Sequence, residues 1–426
     1  EDPAQKGRFI FDLLPAEDDK QQPFPVTRPN ARLQFTLVTS PMGDDSDRLL
    51  IRTNGKLTHV TPLVDRERSR VLRLQQELAG APLDWEVIEQ VRSLIGFYPM
   101  VTAEDGHVRR LQLSGETIRP DVLQLLGALS GLRVLTLSEH PRYDSGETPL
   151  SLQHLSQLTH LHFRNIPIDD AVLQEVAHLR KLGYLRIELD SVQESSTVRG
   201  LQITDEGLKP IATLSELTHL RLQGSGITDA GVEHLLPLPG LKRLELYQTS
   251  ATPKGLAAFV SENSAQDISL QTSRRDVAPH EEPQYLSVSI DQSQMSAVLN
   301  GTLATDEQLA ALCGITNLRS LRIESPVITN EGLLRVSELR DLETLSVRRN
   351  PLVTAAALNI LRSLPRLRTL SLNGCEGIDD RIVDVLAPFT ELRELDLHRT
   401  KVSEQGFTEL RSDLLNCKVL PERRGR

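Results

Sequence analysis

Residues 217–246 hold the same pattern twice. Leu217, Leu220 and Leu222 recur 24 residues later as Leu241, Leu244 and Leu246, with Gly226, Ile227, Thr228, Asp229 and a short helical pattern between. Self-similarity at a period of about 20–50 residues marks a solenoid, in which no unit buries its apolar face alone and each does so against its neighbours. The x-L-x-L-x portion alternates as a strand does, so the leucines face a core and the residues between them face solvent. The rest of the chain must then be further units, a cap for the stack, or insertions in it.

Twelve units can be read from their paired core positions. These are Leu111/Leu113, Leu135/Leu137, Leu161/Phe163, Leu185/Ile187, Leu220/Leu222, Leu244/Leu246, Ile268/Leu270, a weak Ala297/Leu299, then Leu321/Ile323, Leu345/Val347, Leu370/Leu372 and Leu395/Leu397. Spacings are 24 to 26 residues except for 35 between the fourth and fifth and 29 between the seventh and eighth. Those gaps predict insertions at about 189–201 and 272–294. The second carries Arg274, Arg275, His280, Glu281, Glu282 and a strand-like run at 285–290, and reads as a loop on one face of the array.

Three residues past the second core position stand Ser225, Thr249, Ser273, Thr302, Asn350, Cys375 or Thr400. A small polar side chain there is expected to bond turn backbone that neighbouring repeats leave unpaired. Ile-Thr-Asp or a relative follows at 203–205, 227–229, 328–330 and 378–380, where Thr or Asp is expected to cap the helix that closes the core on the opposite side.

The unit at 227–246, ITDAGVEHLLPLPGLKRLEL, resembles the bacterial leucine-rich-repeat family with 24-residue units, of planctomycete-like and GALA-related type. Residues 101–113 and 414–419 also look like that family's first and last strands, and the resemblance covers residues 100–420, about three quarters of the chain. It implies an α/β fold: a right-handed leucine-rich-repeat solenoid with parallel strands on the concave face, helices on the convex face, an N-terminal cap and a small β-rich extension. It also implies a protein-interaction scaffold without catalytic residues.

Ahead of the array, residues 1–30 read as an irregular tail or linker, with Pro15, Pro23, Pro25, Pro29 and a charged run at 17–20. Residues 31–62 read as a β-rich extension of three strands, the last two joined at Asn54-Gly55, a strong hairpin signal. Residues 63–110 read as the cap, with helices at 64–78 and 84–95 and a strand turning at Asp105-Gly106; Asp84 would be an N-cap and Trp85, Val87, Ile88, Val91 and Leu94 the apolar stripe. Residues 111–426 are the solenoid with its insertions.

Composition narrows the functional classes. The net charge of −10 argues against nucleic-acid binding. No run of 18 apolar residues offers a transmembrane helix. Cys313, Cys375 and Cys417 lie in separate repeats without C-x-x-C spacing, so no disulfide framework, zinc site or attached haem is expected. Cys375 belongs to the turn positions, and Cys313 and Cys417 are expected to be buried. The chain begins at Glu1, and its acidic, Pro-containing start fits a removed signal peptide, which leans the expectation to a periplasmic or secreted protein.

The concave face supplies the candidate site. In units three to six its outward positions are His160, His162, Arg164, Tyr184, Arg186, Glu188, His219, Arg221, Gln223, Arg243, Glu245 and Tyr247, of which seven are Arg or His and two Tyr in an acidic chain. His160, His162, Arg164, Tyr184, Arg186, His219, Arg221, Arg243 and Tyr247 form the predicted partner-binding patch, since Arg and Tyr dominate binding hot spots and the local charge invites an acidic segment. The competing expectation is that polar residues here only keep the sheet soluble. Later units mix signs (Arg322, Glu324, Arg348, Asn373, Glu394, Asp396, His398) among small residues and look less committed. A metal at His160/His162 is not expected, because no carboxylate is expected to face the pair and Arg186 would repel a cation. No nucleophile–base motif, phosphate loop or cofactor motif is present, so the expectation is not an enzyme and no cofactor. The leading functional reading is a scaffold that binds a protein partner through the concave face, with a place as a subunit of a larger complex as its extension. The alternatives are an envelope-associated module for an anionic glycan and a secreted effector. Oligomeric state is open.

Overall fold

The computed structural model describes residues 10–13, 33–38, 48–53, 56–62, 78, 82–139, 150–189, 201–224, 226–262, 267–273 and 285–421. The chain divides into two compact units, Glu1–Trp85 with Ala103–Gly106, and Glu86–Thr102 with His107–Arg426.

In the first unit β1 (Ile10–Leu13), β2 (Leu33–Val38), β3 (Arg48–Thr53) and β4 (Lys56–Pro62) form an antiparallel sheet in chain order. Thr53 pairs with Lys56 across Asn54 and Gly55, which lie outside the described residues, as do residues 64–77 of the expected first helix. The stretch read as irregular thus contains a strand: β1 pairs with β2 from Ile10 opposite Thr36 to Leu13 opposite Leu33. Four residues are too few to stand out among the prolines that follow, yet a fourth strand adds the ladder that three marginal strands need.

The helix Pro82–Ile95, whose residues from Glu86 on belong to the second unit, begins two residues before Asp84 and holds that residue in its first turn rather than at the cap. Val87, Ile88 and Val91 of the expected stripe are buried, Trp85 is half-buried, and Leu94 is 39% exposed.

Fifteen strands then make one sheet in chain order. They begin with β5 (Met100–Glu104), β6 (His107–Ser114), β7 (Val134–Ser138), β8 (His160–Arg164), β9 (Tyr184–Glu188), β10 (His219–Gln223), β11 (Arg243–Tyr247) and β12 (Asp267–Ser273). They continue with β13 (Tyr285–Asp291), β14 (Ser296–Asn300), β15 (Ser320–Glu324), β16 (Thr344–Arg348), β17 (Thr369–Ser371), β18 (Glu394–Asp396) and β19 (Lys418–Leu420). Pairing is parallel from β6 to β12 and again from β14 to β19. All twelve pairs of core positions are at most 2% exposed. Register keeps them in columns, with Leu220 opposite Leu244 and Leu321 opposite Leu345. Strands stand about 4.8 Å apart and packed helices about 8–10 Å, so the strands line the inner curve. The fold is a leucine-rich-repeat solenoid.

Residues 274–284 of the expected surface loop lie outside the described residues, but the rest of 272–294 belongs largely to the sheet. Its second half is β13, which pairs antiparallel with β12 on one side and β14 on the other. Leu286, Val288 and Ile290 alternate inward and are 7%, 0% and 1% exposed, and burying three such side chains favours the strand. The array is thereby spliced: two parallel blocks meet through one reversed strand, while the helices Pro253–Glu262 and Asp306–Cys313 still pack together behind it.

Successive repeats are joined by the Ile-Thr-Asp segments in a way that caps alone do not describe. Thr228 and Thr329 cap their own helices, accepting bonds from Ala230 N and Glu331 N at 3.2 Å. The following aspartate serves the next repeat. Asp170 accepts the backbone N–H and hydroxyl of Thr204 (2.8 and 2.7 Å), Asp205 those of Thr228 (both 2.7 Å), Asp229 those of Thr252 (2.6 and 2.7 Å) and Asp306 those of Thr329 (2.8 and 2.6 Å). The glycine three residues after the threonine follows from this: a Cβ on Gly231 or Gly332 would run into the Asp205 or Asp306 carboxylate. Pro253 stands where the acid would be, so the chain of bonds stops beside the splice, and Thr305 is held instead by Gln308 of its own helix.

The turn positions behave less uniformly than expected. Asn350 donates to Ile328 O (2.8 Å) and accepts from Leu352 N and Val353 N (2.8 and 3.1 Å), and the Cys375 thiol donates to Val347 O at 3.3 Å. Thr249 is buried, but its hydroxyl makes no bond. Cys313 is buried as expected, whereas Cys417 is only half-buried. Two residues past the second core position the backbone turns left-handed at nearly every strand exit, with glycine at Gly224, Gly301 and Gly374 and other residues at Glu139, Asn165, Gln248, Arg349 and Arg399.

Candidate functional site

The predicted residues come together on β8–β11 in rows set by strand register. His160, Tyr184, His219 and Arg243 form one row, and His162, Arg186, Arg221 and Glu245 the next. Tyr247 lies opposite Gln223, and Arg164 opposite Glu188.

The first row is built around Tyr184. His160 stacks on one side (centroids 5.5 Å apart, 21° between planes) and His219 on the other (5.8 Å, 29°). A threonine immediately before each imidazole orients it. Thr159 and Thr218 donate to carbonyls of the preceding repeat, Arg133 O at 3.2 Å and Gly183 O at 2.8 Å, and each meets the next residue's Nδ1 at 2.9 Å. Once the hydroxyl proton is given to the carbonyl, Nδ1 must carry the imidazole proton and Nε2 is left as an acceptor. Burial, with Arg110 and His219 nearby, lowers the His160 pKa below its ordinary value. Burial, with Arg243 and Lys242, does the same for His219.

Glu188 organises the second row. Its side chain is 12% exposed and takes Arg186 Nη2 at 2.7 Å, Arg221 Nη2 at 3.4 Å and His162 Nε2 at 3.1 Å. Arg221 also reaches Glu245 at 3.1 Å and lies 4.2 Å from the centre of the Tyr247 ring, while Arg243 pairs with Asp267 at 2.7 Å. The Nε atoms of Arg186 and Arg221 are buried without partners. His162 is held low in pKa by burial, against the pull of Glu188.

The basic side chains of the expected patch are paired within the protein. Arg186, Arg221 and Arg243 each end on a carboxylate, and the three imidazoles resist protonation. Glu188 also overturns the expectation that no carboxylate faces His162. It already holds two guanidiniums, and no three His, Cys, Asp or Glu side chains cluster as metal ligands among the described residues. Two signals pointed to this arrangement. Thr-His precedes a leucine at both 159–161 and 218–220, and Glu188 and Glu245 occupy the same outward positions as the arginines.

No helix among the described residues is long and apolar enough to cross a membrane. A family model described as "Leucine Rich repeat" matches residues 215–236. No curated protein sequence matches the chain. Among solved structures, an internalin from Listeria monocytogenes is similar at 16% identity over 83% of this chain and 98% of that one, with a TM-score of 0.36. A leucine-rich-repeat protein of Leptospira interrogans is similar at 16% identity over 73% of this chain and 89% of that one, with a TM-score of 0.27. A PEPR1–AtPEP1 structure is similar at 13% identity over 71% of this chain and 43% of that one, with a TM-score of 0.31.

Proposed function

We propose that this protein is a non-catalytic scaffold that binds a partner protein through the strand face of β8–β11, with Tyr184 and Tyr247 as its anchors. The observation that carries the reading is the stack His160–Tyr184–His219 beside the arginine-backed ring of Tyr247. These are large amphipathic side chains already held in place. Docking on them costs little further side-chain entropy, and preorganised aromatic and arginine groups supply most of the free energy at protein interfaces. Solenoids of this kind use their inner surface for binding. His160, His162, Arg164, Arg186, His219, Arg221 and Arg243 surround the anchors and set polarity. Because the arginines are paired, the partner segment is better described as aromatic and hydrogen-bonding than as strongly acidic. The same pairing disfavours a long polyanionic glycan, which would have to displace Glu188 and Glu245. Within the repeat class, the Asp-x-Gly segments support the bacterial 24-residue type.

The test is affinity purification from the native source with mass spectrometry, using the wild-type chain and Tyr184→Ala/Tyr247→Ala as baits. The leading partner is then purified and titrated. The double variant is expected to lose that partner, with affinity at least ~10-fold weaker, about 1.4 kcal/mol. Equal recovery and equal affinity for both baits would refute this surface.

A further inference from the structure

In the C-terminal block the exits of β16, β17 and β18 open into a cleft of about 440 Å³ lined by Arg348, Arg349, Asn373, Asp396, His398 and Arg399. That volume lies in the range of small-molecule sites. The cleft's one acid is engaged within the protein. Asp396 accepts from His398 N at 3.0 Å, His398 Nδ1 at 2.6 Å, Ser371 Oγ at 3.1 Å and Asn373 Nδ2 at 3.3 Å, and is 19% exposed. Arg349 reaches Glu324 at 3.1 Å yet remains 76% exposed. Arg348 and Arg399 have no ion pair among the described residues. Positive charge is thus left over at this point of a chain whose net charge is −10.

The backbone adds a second observation. Arg349 and Arg399 occupy left-handed strand exits, at φ of 51° and 55°, on either side of Gly374, which fills the same position in the repeat between them. The same exit recurs at Glu139, Asn165 and Gln248, so here it fixes where the two arginines leave the sheet, with the smaller glycine between them.

We propose that this cleft binds a tetrahedral oxyanion, a phosphoryl or sulfo group carried on a small ligand. The guanidiniums rise from two strands separated by a third, so their donors approach from positions about 10 Å apart at the backbone. Donors converging from different sides suit an anion with three terminal oxygens, whereas a planar carboxylate is satisfied by one guanidinium fork. Asn373 contributes a neutral amide between them.

Thermal unfolding of the full chain in inorganic phosphate, sulfate or acetate, each against chloride at matched ionic strength, tests this, together with calorimetric titration of phosphate and sulfate. The wild-type midpoint is expected to rise saturably with phosphate or sulfate, as ligand binding to the folded state requires, and whichever acts at lower concentration names the group. Arg348→Gln/Arg399→Gln should keep the wild-type midpoint in chloride and lose that rise, with binding at least ~10-fold weaker. Should the double variant fold poorly, Arg399→Asn alone, suited to the left-handed exit, should show the same loss. Lys209→Gln, one cation removed elsewhere, should keep the full response. An equal rise in the arginine variants, the signature of general salt exclusion, would overturn the site, as would acetate matching sulfate or no rise at all.

Discussion

The strand faces of the two parallel blocks share one scaffold and differ in where their charge goes. On β8–β11 the outward side chains are large, and Arg186, Arg221 and Arg243 end on Glu188, Glu245 and Asp267. On β15–β18 many outward positions are small (Ser320, Thr344, Ser346, Thr369, Ser371), yet Arg348 and Arg399 remain without ion pairs among the described residues. The difference lies in pairing: the three arginines of the first face end on carboxylates of their own or neighbouring strands, and these two of the second do not. Strands about 4.8 Å apart put every outward residue within reach of its lateral neighbours, so a patch's charge is decided across strands rather than along them.

The comparison is sharpened first by substitutions that should act alike in both blocks. Gly231→Ala and Gly332→Ala each push a Cβ into the aspartate that joins two repeats, and each should cost about 3 kcal/mol in denaturant unfolding. A large difference between them would mean the blocks do not share this joint. The next pair should act unequally. Glu188→Gln leaves Arg186 without a carboxylate and takes one of two from Arg221, and should cost about 2 kcal/mol, against about 1 kcal/mol for Asp396→Asn, whose donors are neutral apart from His398. All three thiols lie in the C-terminal block, with burial pushing Cys313 up to about 12 and Cys375 and Cys417 to about 11. Their slow alkylation should be unchanged by Glu188→Gln if the splice separates the blocks, and accelerated if it does not.

The smallest effect should come from pH. His160, His162 and His219 have pKa values lowered by folding from 6.5, so their neutral forms stabilise the fold above that value. The contribution is lost as pH falls from about 6.5 through the lowered values. Hydrogen exchange should show β8–β10 losing protection between pH 7 and 5.5, with β15–β17 changing less; equal loss in both would assign the effect elsewhere.

The array was legible in the sequence because burial obeys a local period: each core pair repeats a pattern read without knowing its neighbours. The strand-like run of β13 was legible, but its place inside the sheet was not, because Leu286, Val288 and Ile290 alternate without the surrounding leucine frame and antiparallel pairing on both sides lies outside the repeat pattern. The fate of Arg221 escaped because its partner Glu188 lies across the 35-residue gap, on the diagonal rather than the direct register. The Ile-Thr-Asp segment was visible as a cap, but the purpose of its aspartate belongs to the following repeat.

Between the helices Pro253–Glu262 and Asp306–Cys313 the sheet advances three strands, from β11 to β14, about 14 Å, while the helix layer advances a single step of about 8–10 Å. From β8 to β11 each strand step faces one helix step, so at the splice the strand layer, rather than the helix layer, is locally the longer of the two.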